Sequence, residues 1–359
     1  AIYVSSAFVR LELFASVGII ILGSIGLAIL TQKIFEQNKQ NLTKIIFPTV
    51  IIILFIIPLT MPENNTWLTW ADFPPSILNG GSAYTDFSSN DWKDSMLWIK
   101  ENTSEDAIIA SWWDYGYWIT TLSERTTIVD NATLIDWQIE KMAYSLITTP
   151  DNSWNILSSD YNTTITSSLS SEFLDPAFID KPDFTQTDEP DCISPKNDLL
   201  ENPTNFCNPI IRGMDADYVL IYLAGERFFL NGMNIPIYTL EGGGDESKKT
   251  WYAKISNHQV SKFIEDDNIT PTKYYMQNST LGMLTPFSIF KYVEPNTGRT
   301  FDKYQSGLIP VYVNDLKFRD PDNDPFYLVY ASPSFYNKEP GIMSTVLIYK
   351  INHDYNPHN

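Results

Sequence analysis

The chain has 359 residues, 43 acidic against 24 basic side chains for a net charge of -19, and two cysteines. A phosphate backbone is gripped by clustered Lys and Arg, so this balance excludes nucleic acid as a partner and assigns most carboxylates to solubilising an exposed surface. The mean hydropathy of -0.16 averages an apolar beginning with a polar, aromatic-rich remainder and describes neither.

The chain opens on Ala1 and enters the apolar stretch with no charged leader and no small-residue cleavage site. The expectation is a cut through a longer polytopic protein, not a secretory signal. Leu13 to Thr31 and Ile45 to Met61 are apolar runs close to the ~20 residues a spanning helix needs. Residues 1–62 are therefore read as the last transmembrane helices, with spans at 13–31 and 45–61. Between the spans Lys33, Lys39 and Lys44 outweigh Glu36, which puts the connection in the cytoplasm and everything after Met61 outside. Arg10 lies at the outer end of the first span, where it either marks a functional site or snorkels to the headgroups.

Residues 63–88 are irregular and rich in Pro and Gly, a linker to an extracytoplasmic mixed α/β domain. Its core is assigned to 89–285 and 345–359. Ser89 or Asn90 is placed to cap a helix over Asp91 to Asn102, with Trp92, Met96 and Ile99 on one face. Ala107 to Ala110 and Arg125 to Val129 read as strands, and Leu134 to Ile147 as an amphipathic helix. Residues 151–209 are Ser-, Thr-, Asn-, Asp- and Pro-rich and read as a surface insertion. This insertion holds Cys192 and Cys207, either joined in a disulfide worth ~3 kcal/mol in an oxidising compartment or left as two buried thiols. Tyr218 to Leu223 is a strongly apolar strand, and Gly242-Gly243-Gly244 breaks the chain before a helix near Asp245. The alternating stretches Leu308 to Val313 and Phe326 to Ala331 make 286–344 a β-rich insertion, after which Thr345 to Ile351 returns as a strand. No fixed-period repeat is present.

Chemistry concentrates in Trp112-Trp113-Asp114-Tyr115-Gly116, just after the predicted strand. Such an aromatic cluster is ordinarily core. Three features set it apart. Adjacent indoles point to opposite sides of a strand, so the backbone turns here if both line one site. A carboxylate among them is costly without a partner. Gly116 allows a conformation that other residues resist. Each indole offers one N–H donor and an ionised Asp only acceptors. Together Trp112, Trp113 and Asp114 can satisfy one hydroxyl, and a site built this way rejects an analogue lacking it by ~10⁴. It contains no nucleophile.

Ser111-Trp112-Trp113-Asp114-Tyr115-Gly116-Tyr117, followed by Arg125-Thr126-Thr127 and Val129-Asp130-Asn131, resembles the catalytic subunit of oligosaccharyltransferase, in its archaeal style and over its C-terminal portion. The resemblance implies transfer of a glycan from a lipid-linked (dolichyl-type) donor to the asparagine of Asn-X-Ser/Thr in an acceptor polypeptide. It implies that Trp112, Trp113 and Asp114 bind the acceptor hydroxyl, with Tyr115 and Gly116 supporting them. Asp245-Glu246-Ser247-Lys248 resembles the family's second pocket element at Asp245 and Lys248, with Tyr252 where Met or Ile is usual. By the same resemblance Arg10 faces the donor phosphate, which a guanidinium fork suits. The resemblance further implies a multi-pass protein of the cell membrane in contact with membrane lipid. It implies a Mn²⁺ or Mg²⁺ ion whose ligands stand on loops N-terminal to Ala1, and no metal ligand is assigned here. The competing readings are a membrane-anchored carbohydrate-binding or cell-envelope protein, and an inactive relative.

Asn-X-Ser/Thr triplets begin at Asn41, Asn64, Asn102, Asn131, Asn162, Asn268 and Asn278. Asn41, on the cytoplasmic connection, is expected to remain unmodified. Intact-glycopeptide mass spectrometry checks this, and a glycan on Asn41 would reverse the assigned orientation.

Overall fold

The computed structural model describes residues 12–37, 41–60, 72–132, 136–160, 213–230, 234–256 and 258–357. Arg10, Cys192 and Cys207 lie outside the described residues. The chain divides into two units, Ala1–Phe73 and Pro74–Asn359.

The first unit contains two helices, α1 (Glu12–Gln37) and α2 (Asn41–Thr60). Their apolar windows, Ser16–Glu36 and Leu42–Leu59, are long enough to cross a membrane, and neither is buried in the structure. Pro48 and Pro58 lie inside α2, where each removes one backbone donor without ending the helix.

The second unit is built on one nine-stranded sheet. Strands β1 (Ile108–Ala110), β2 (Thr126–Thr127) and the central β3 (Tyr218–Phe228) run parallel. β3 pairs antiparallel with the last strand, β9 (Gly341–Ile351), from Tyr218 opposite Lys350 to Arg227 opposite Gly341. The run from Val219 to Ala224 is buried on both faces, as a central strand covered from both sides requires. On the far end of β3 the sheet continues through β4 (Ile237–Tyr238), β7 (Ile309–Asn314), β5 (Phe287–Val293) and β6 (Thr300–Phe301), while β8 (Phe326–Ala331) pairs with β9. The strands within 286–344 thus do not form a separate body. They extend the central sheet on both sides, because β4 and β9 present edges that would otherwise leave backbone groups unpaired.

Helix α3 (Asp91–Asn102) buries Trp92, Met96 and Ile99, the face given by their spacing. Its cap residue is Asn90, whose side chain makes no capping hydrogen bond. Helix α4 is Asp136–Ile147, and the π-helical turn Ile119–Ser123 leads into β2. Two boundaries differ from those expected. Helix α5 (Pro150–Ser158) occupies the start of the supposed surface insertion, burying Ile156 and Leu157 while Trp154 Nε1 donates to the carbonyl of Asn352 at 2.7 Å. A polar composition concealed a short amphipathic helix that opens with proline in its first turn. Residues 161–212 lie outside the described residues. The supposed linker also joins the domain well before residue 88. Ser76–Asn79 is helical, Gly80 and Gly81 turn at positive φ, and the N–H of Ala83 donates to the carbonyl of Gly242.

Leu347 of β9 is fully buried opposite Ile221 of β3. Leu347→Ala is expected to lower the unfolding free energy by about 2–5 kcal/mol, read from urea denaturation of the detergent-solubilised chain. A loss below ~0.5 kcal/mol would contradict a central β3–β9 pair.

Candidate functional site

The motif lies at the carboxyl end of β1, where open α/β sheets leave a crevice for ligands. Trp112 is still extended (φ -65°, ψ 147°), and the chain then winds into a 3-10 turn at Trp113–Tyr115. This turn separates the two indoles. Trp112 is 4% exposed and meets the ring of Tyr252 edge-on at 4.6 Å, whereas Trp113 is only partly buried, its ring centroid 6.0 Å from that of Trp112. Asp114 projects from the turn with its side chain 31% exposed.

A second segment closes on the first. The Gly242-Gly243-Gly244 run lies directly against β3. A Cβ on Gly244 would come within 2.6 Å of the carbonyl of Tyr222, and Gly243 turns at φ +91°. Only glycine tolerates that approach, and it drops Asp245 beside the strand. Asp245 Oδ2 accepts the N–H of Tyr222 at 2.7 Å, while Oδ1 accepts the hydroxyls of Tyr115 and Tyr252, both at 2.9 Å. Asp245 is 1% exposed. One turn on, Lys248 Nζ donates to Asp114 Oδ2 at 2.7 Å and to the Tyr115 hydroxyl at 2.9 Å. Lysine, tyrosine and buried aspartate form a chain in which every donor faces an acceptor.

Electrostatics follow from burial. Desolvation raises the Asp245 carboxyl above the usual carboxylate range, opposed by the Lys248 cation and the three donated hydrogen bonds. The same desolvation, reinforced by Asp245 and other nearby ionisable groups, lifts Tyr115 and Tyr252 well above the ordinary phenol, so both remain donors at neutral pH. Trp92 of α3 forms the floor, 4.7 Å from Tyr115, 4.8 Å from Trp118 and 5.2 Å from Tyr222.

Beside this network opens a cleft of about 390 Å³, lined by Gly80, Gly81, Asp114, Tyr117, Asn131 and Lys248 among others. Within it Lys248 occupies Asp114 Oδ2, and among the described residues Asp114 Oδ1 has no hydrogen-bond partner. Trp112 and Trp113 do not line the cleft. Among the described residues no group of three or more His, Cys, Asp or Glu could hold a metal ion, so no step is derived through one. The carboxylates of 320–324 are engaged in their own turn, Asp324 Oδ2 accepting the N–H groups of Arg319 and Asp320.

Residues 104–189, which include the motif, match the family model of the STT3/PglB/AglB core domain. Over 101 residues the chain is 37% identical to subunit STT3B of the dolichyl-diphosphooligosaccharide–protein glycosyltransferase of rice (Oryza sativa subsp. japonica), covering 26% of this chain and 14% of that protein. Over 167 residues it is 27% identical to the STT3 subunit of Dictyostelium discoideum, covering 43% and 23%. Over this stretch the chain is similar to oligosaccharyltransferase catalytic subunits. It spans less than a quarter of the length of these relatives. The C-terminal globular domain of an oligosaccharyltransferase from Archaeoglobus fulgidus covers 63% of this chain and 98% of its own, at 13% identity and a TM-score of 0.26, too loose a superposition to bear on the site.

The structure brings Trp112, Asp114, Tyr115, Asp245, Lys248 and Tyr252 into one assembly, and it gives Gly116 a different role from the one expected. Gly116 has φ -56°, an ordinary helical value. Its glycine is explained by space, since a Cβ there would lie 2.5 Å from Cα of Asp130. Tyr252, where the resemblance puts Met or Ile, is fully buried, with its hydroxyl on Asp245 and its ring on Trp112. Sequence reasoning missed the Lys248–Asp114 pair and the Tyr222 N–H on Asp245, which no local pattern signals. It also missed the buried ion pair of Glu246 and Lys249, 2.8 Å apart beneath the site.

Asp245→Asn keeps the shape but sets an NH₂ against the N–H of Tyr222 or the two phenols. A loss of about 1–3 kcal/mol is expected in chemical denaturation at neutral pH. Because the Asp245 pKa is raised on folding, the fold binds more protons than the unfolded chain above about pH 4, and this group's contribution to stability declines as pH rises through its folded value. Asp245→Asn is expected to lack that slope. Identical pH profiles for the two proteins would refute the burial assigned to this carboxyl.

Proposed function

We propose that this chain is the acceptor-reading portion of an oligosaccharyltransferase, an enzyme transferring a glycan from a lipid-linked donor to the asparagine of Asn-X-Ser/Thr. The observation that carries the reading is the state of Asp114. Its carboxylate stands at the wall of a cleft with Oδ2 held by Lys248 and Oδ1 open. A hydroxyl needs one acceptor and one donor. Asp114 Oδ1 would supply the acceptor, and by the resemblance the donor would come from the indoles of the motif. Trp112, buried against Tyr252, holds the turn from below. Lys248 pairs with Asp114 and holds its carboxylate in place, and Asp245 is linked to Lys248 through Tyr115.

The family match over the motif and the two apolar helices support placing this domain outside a membrane, with α1 and α2 as spans of a multi-pass protein. In this reading Arg10 meets the donor phosphate. A divalent ion, Mn²⁺ or Mg²⁺, would be held by carboxylates outside this chain and would supply electrophilic assistance to the leaving phosphate. The part of this chain in catalysis is to bind and orient the acceptor peptide and to exclude peptides that lack the hydroxyl.

The test is glycan transfer by the intact membrane protein, with lipid-linked glycan and Mn²⁺ or Mg²⁺, to peptides with and without the hydroxyl. Asp114→Ala is expected to abolish transfer to the Ser/Thr peptide without unfolding the domain. Unchanged peptide affinity and turnover in that variant, or equal use of both peptides by the wild type, would refute the role.

A further inference from the structure

We infer that Asn131 is a positioning residue for Asp114, and that its Asn131-Ala132-Thr133 triplet serves the pocket instead of carrying a glycan. The inference rests on the acceptor-reading role proposed for Asp114.

Asn131 Nδ2 donates to the backbone carbonyl of Asp114 at 2.9 Å, and its Oδ1 accepts the backbone N–H of Tyr117 at 3.1 Å. One amide therefore spans the turn from residue 114 to residue 117, with its donor at one end and its acceptor at the other. Aspartate has no donor for the first contact, and alanine has neither group. The segment that carries Asn131 is itself seated against the turn. Gly116 packs on Asp130 so closely that an added Cβ would lie 2.5 Å from its Cα and 2.7 Å from the carbonyl of Val129. Asp130 Oδ1 accepts the N–H of Ala132 at 2.8 Å, fixing the bend from which Asn131 projects.

These contacts explain how Asp114 can be half exposed and still directed. Lys248 holds the carboxylate at Oδ2, but a single ion pair leaves the backbone beneath free to rotate. Asn131 ties that backbone down at the residue's own carbonyl, beneath a side chain that lines the cleft. Misplacement of a binding group by ~1 Å can cost ~10²-fold in rate. The same geometry speaks against modification. Asn131 lines the cleft beside Asp114 and Lys248. A sugar on Nδ2 would replace one amide hydrogen and place a ring in the space an acceptor must enter. Asn102 and Asn278 differ. Both are exposed, and their Nδ2 groups donate only to the carbonyls of Trp98 and Tyr274 one helical turn back.

The experiment uses the intact membrane protein and compares a threonine acceptor peptide with its hydroxyl-free analogue. For Asn131→Ala the KM for the threonine peptide is expected to rise about tenfold, with kcat within about twofold and a matching loss of discrimination against the analogue. Asn131→Asp, which sets an acceptor against the Asp114 carbonyl, should be worse than Asn131→Ala at neutral pH. Asn278→Gln is expected to behave as wild type. Wild-type kinetics in Asn131→Ala, or a loss that only tracks thermal unfolding and leaves discrimination intact, would overturn the inference while leaving the proposed function standing. A wild type that does not discriminate between the peptides would remove both. Intact-glycopeptide mass spectrometry of the wild type gives an arm independent of variant folding. An unmodified Asn131 is expected, and a glycan there would overturn the inference.

Discussion

The site depends on one buried carboxylate. Asp245 has left water almost entirely, and a charge so placed is tolerated only when its oxygens are occupied. Its three donors come from three different parts of the chain: the backbone of β3, the 3-10 turn after β1, and the helix Lys249–Ile255. Satisfying this group therefore requires strand, turn and helix to meet at a single point. Lys248 is carried to Asp114 across 134 residues of sequence as a consequence.

The arrangement separates rigidity from recognition. Trp92, Tyr115, Tyr222, Trp112 and Tyr252 form a packed aromatic base, with the Tyr115 and Tyr252 hydroxyls on Asp245 and that of Tyr222 on Ser344. Beside that base stand only short-range, half-exposed groups: Asp114, Lys248, Asn131 and the glycines that line the cleft. In the proposed reading, an acceptor hydroxyl would meet a carboxylate already held by Lys248, so little ordering would be left for the moment of binding.

The elements most legible in the sequence were those with strong local patterns. The apolar run of β3 and the 91–102 helix could be read because burial on both faces and an i, i+4 spacing leave direct marks. The 112–116 motif was also legible as a unit, since paired indoles beside a carboxylate and a glycine are an expensive combination to bury. What escaped was the reason for individual residues. Gly116 could have served conformation or space, and only the neighbouring Asp130, brought back by β2, shows that it is space. The 63–88 stretch looked like a linker because Pro and Gly mark turns, whether those turns are free or folded onto a domain. In each case the deciding partner is distant in sequence, and a one-dimensional pattern does not carry it.

The central claim is that two segments far apart in sequence act as one acceptor-binding unit through Lys248 and Asp114. A double-mutant cycle on peptide affinity, with Asp114→Asn, Lys248→Met and the combined variant, tests it most directly. A shared unit predicts that the two single losses together exceed the double loss by at least ~1 kcal/mol. Losses that add to within ~0.3–0.5 kcal/mol would show that the two groups act separately, and would contradict the account.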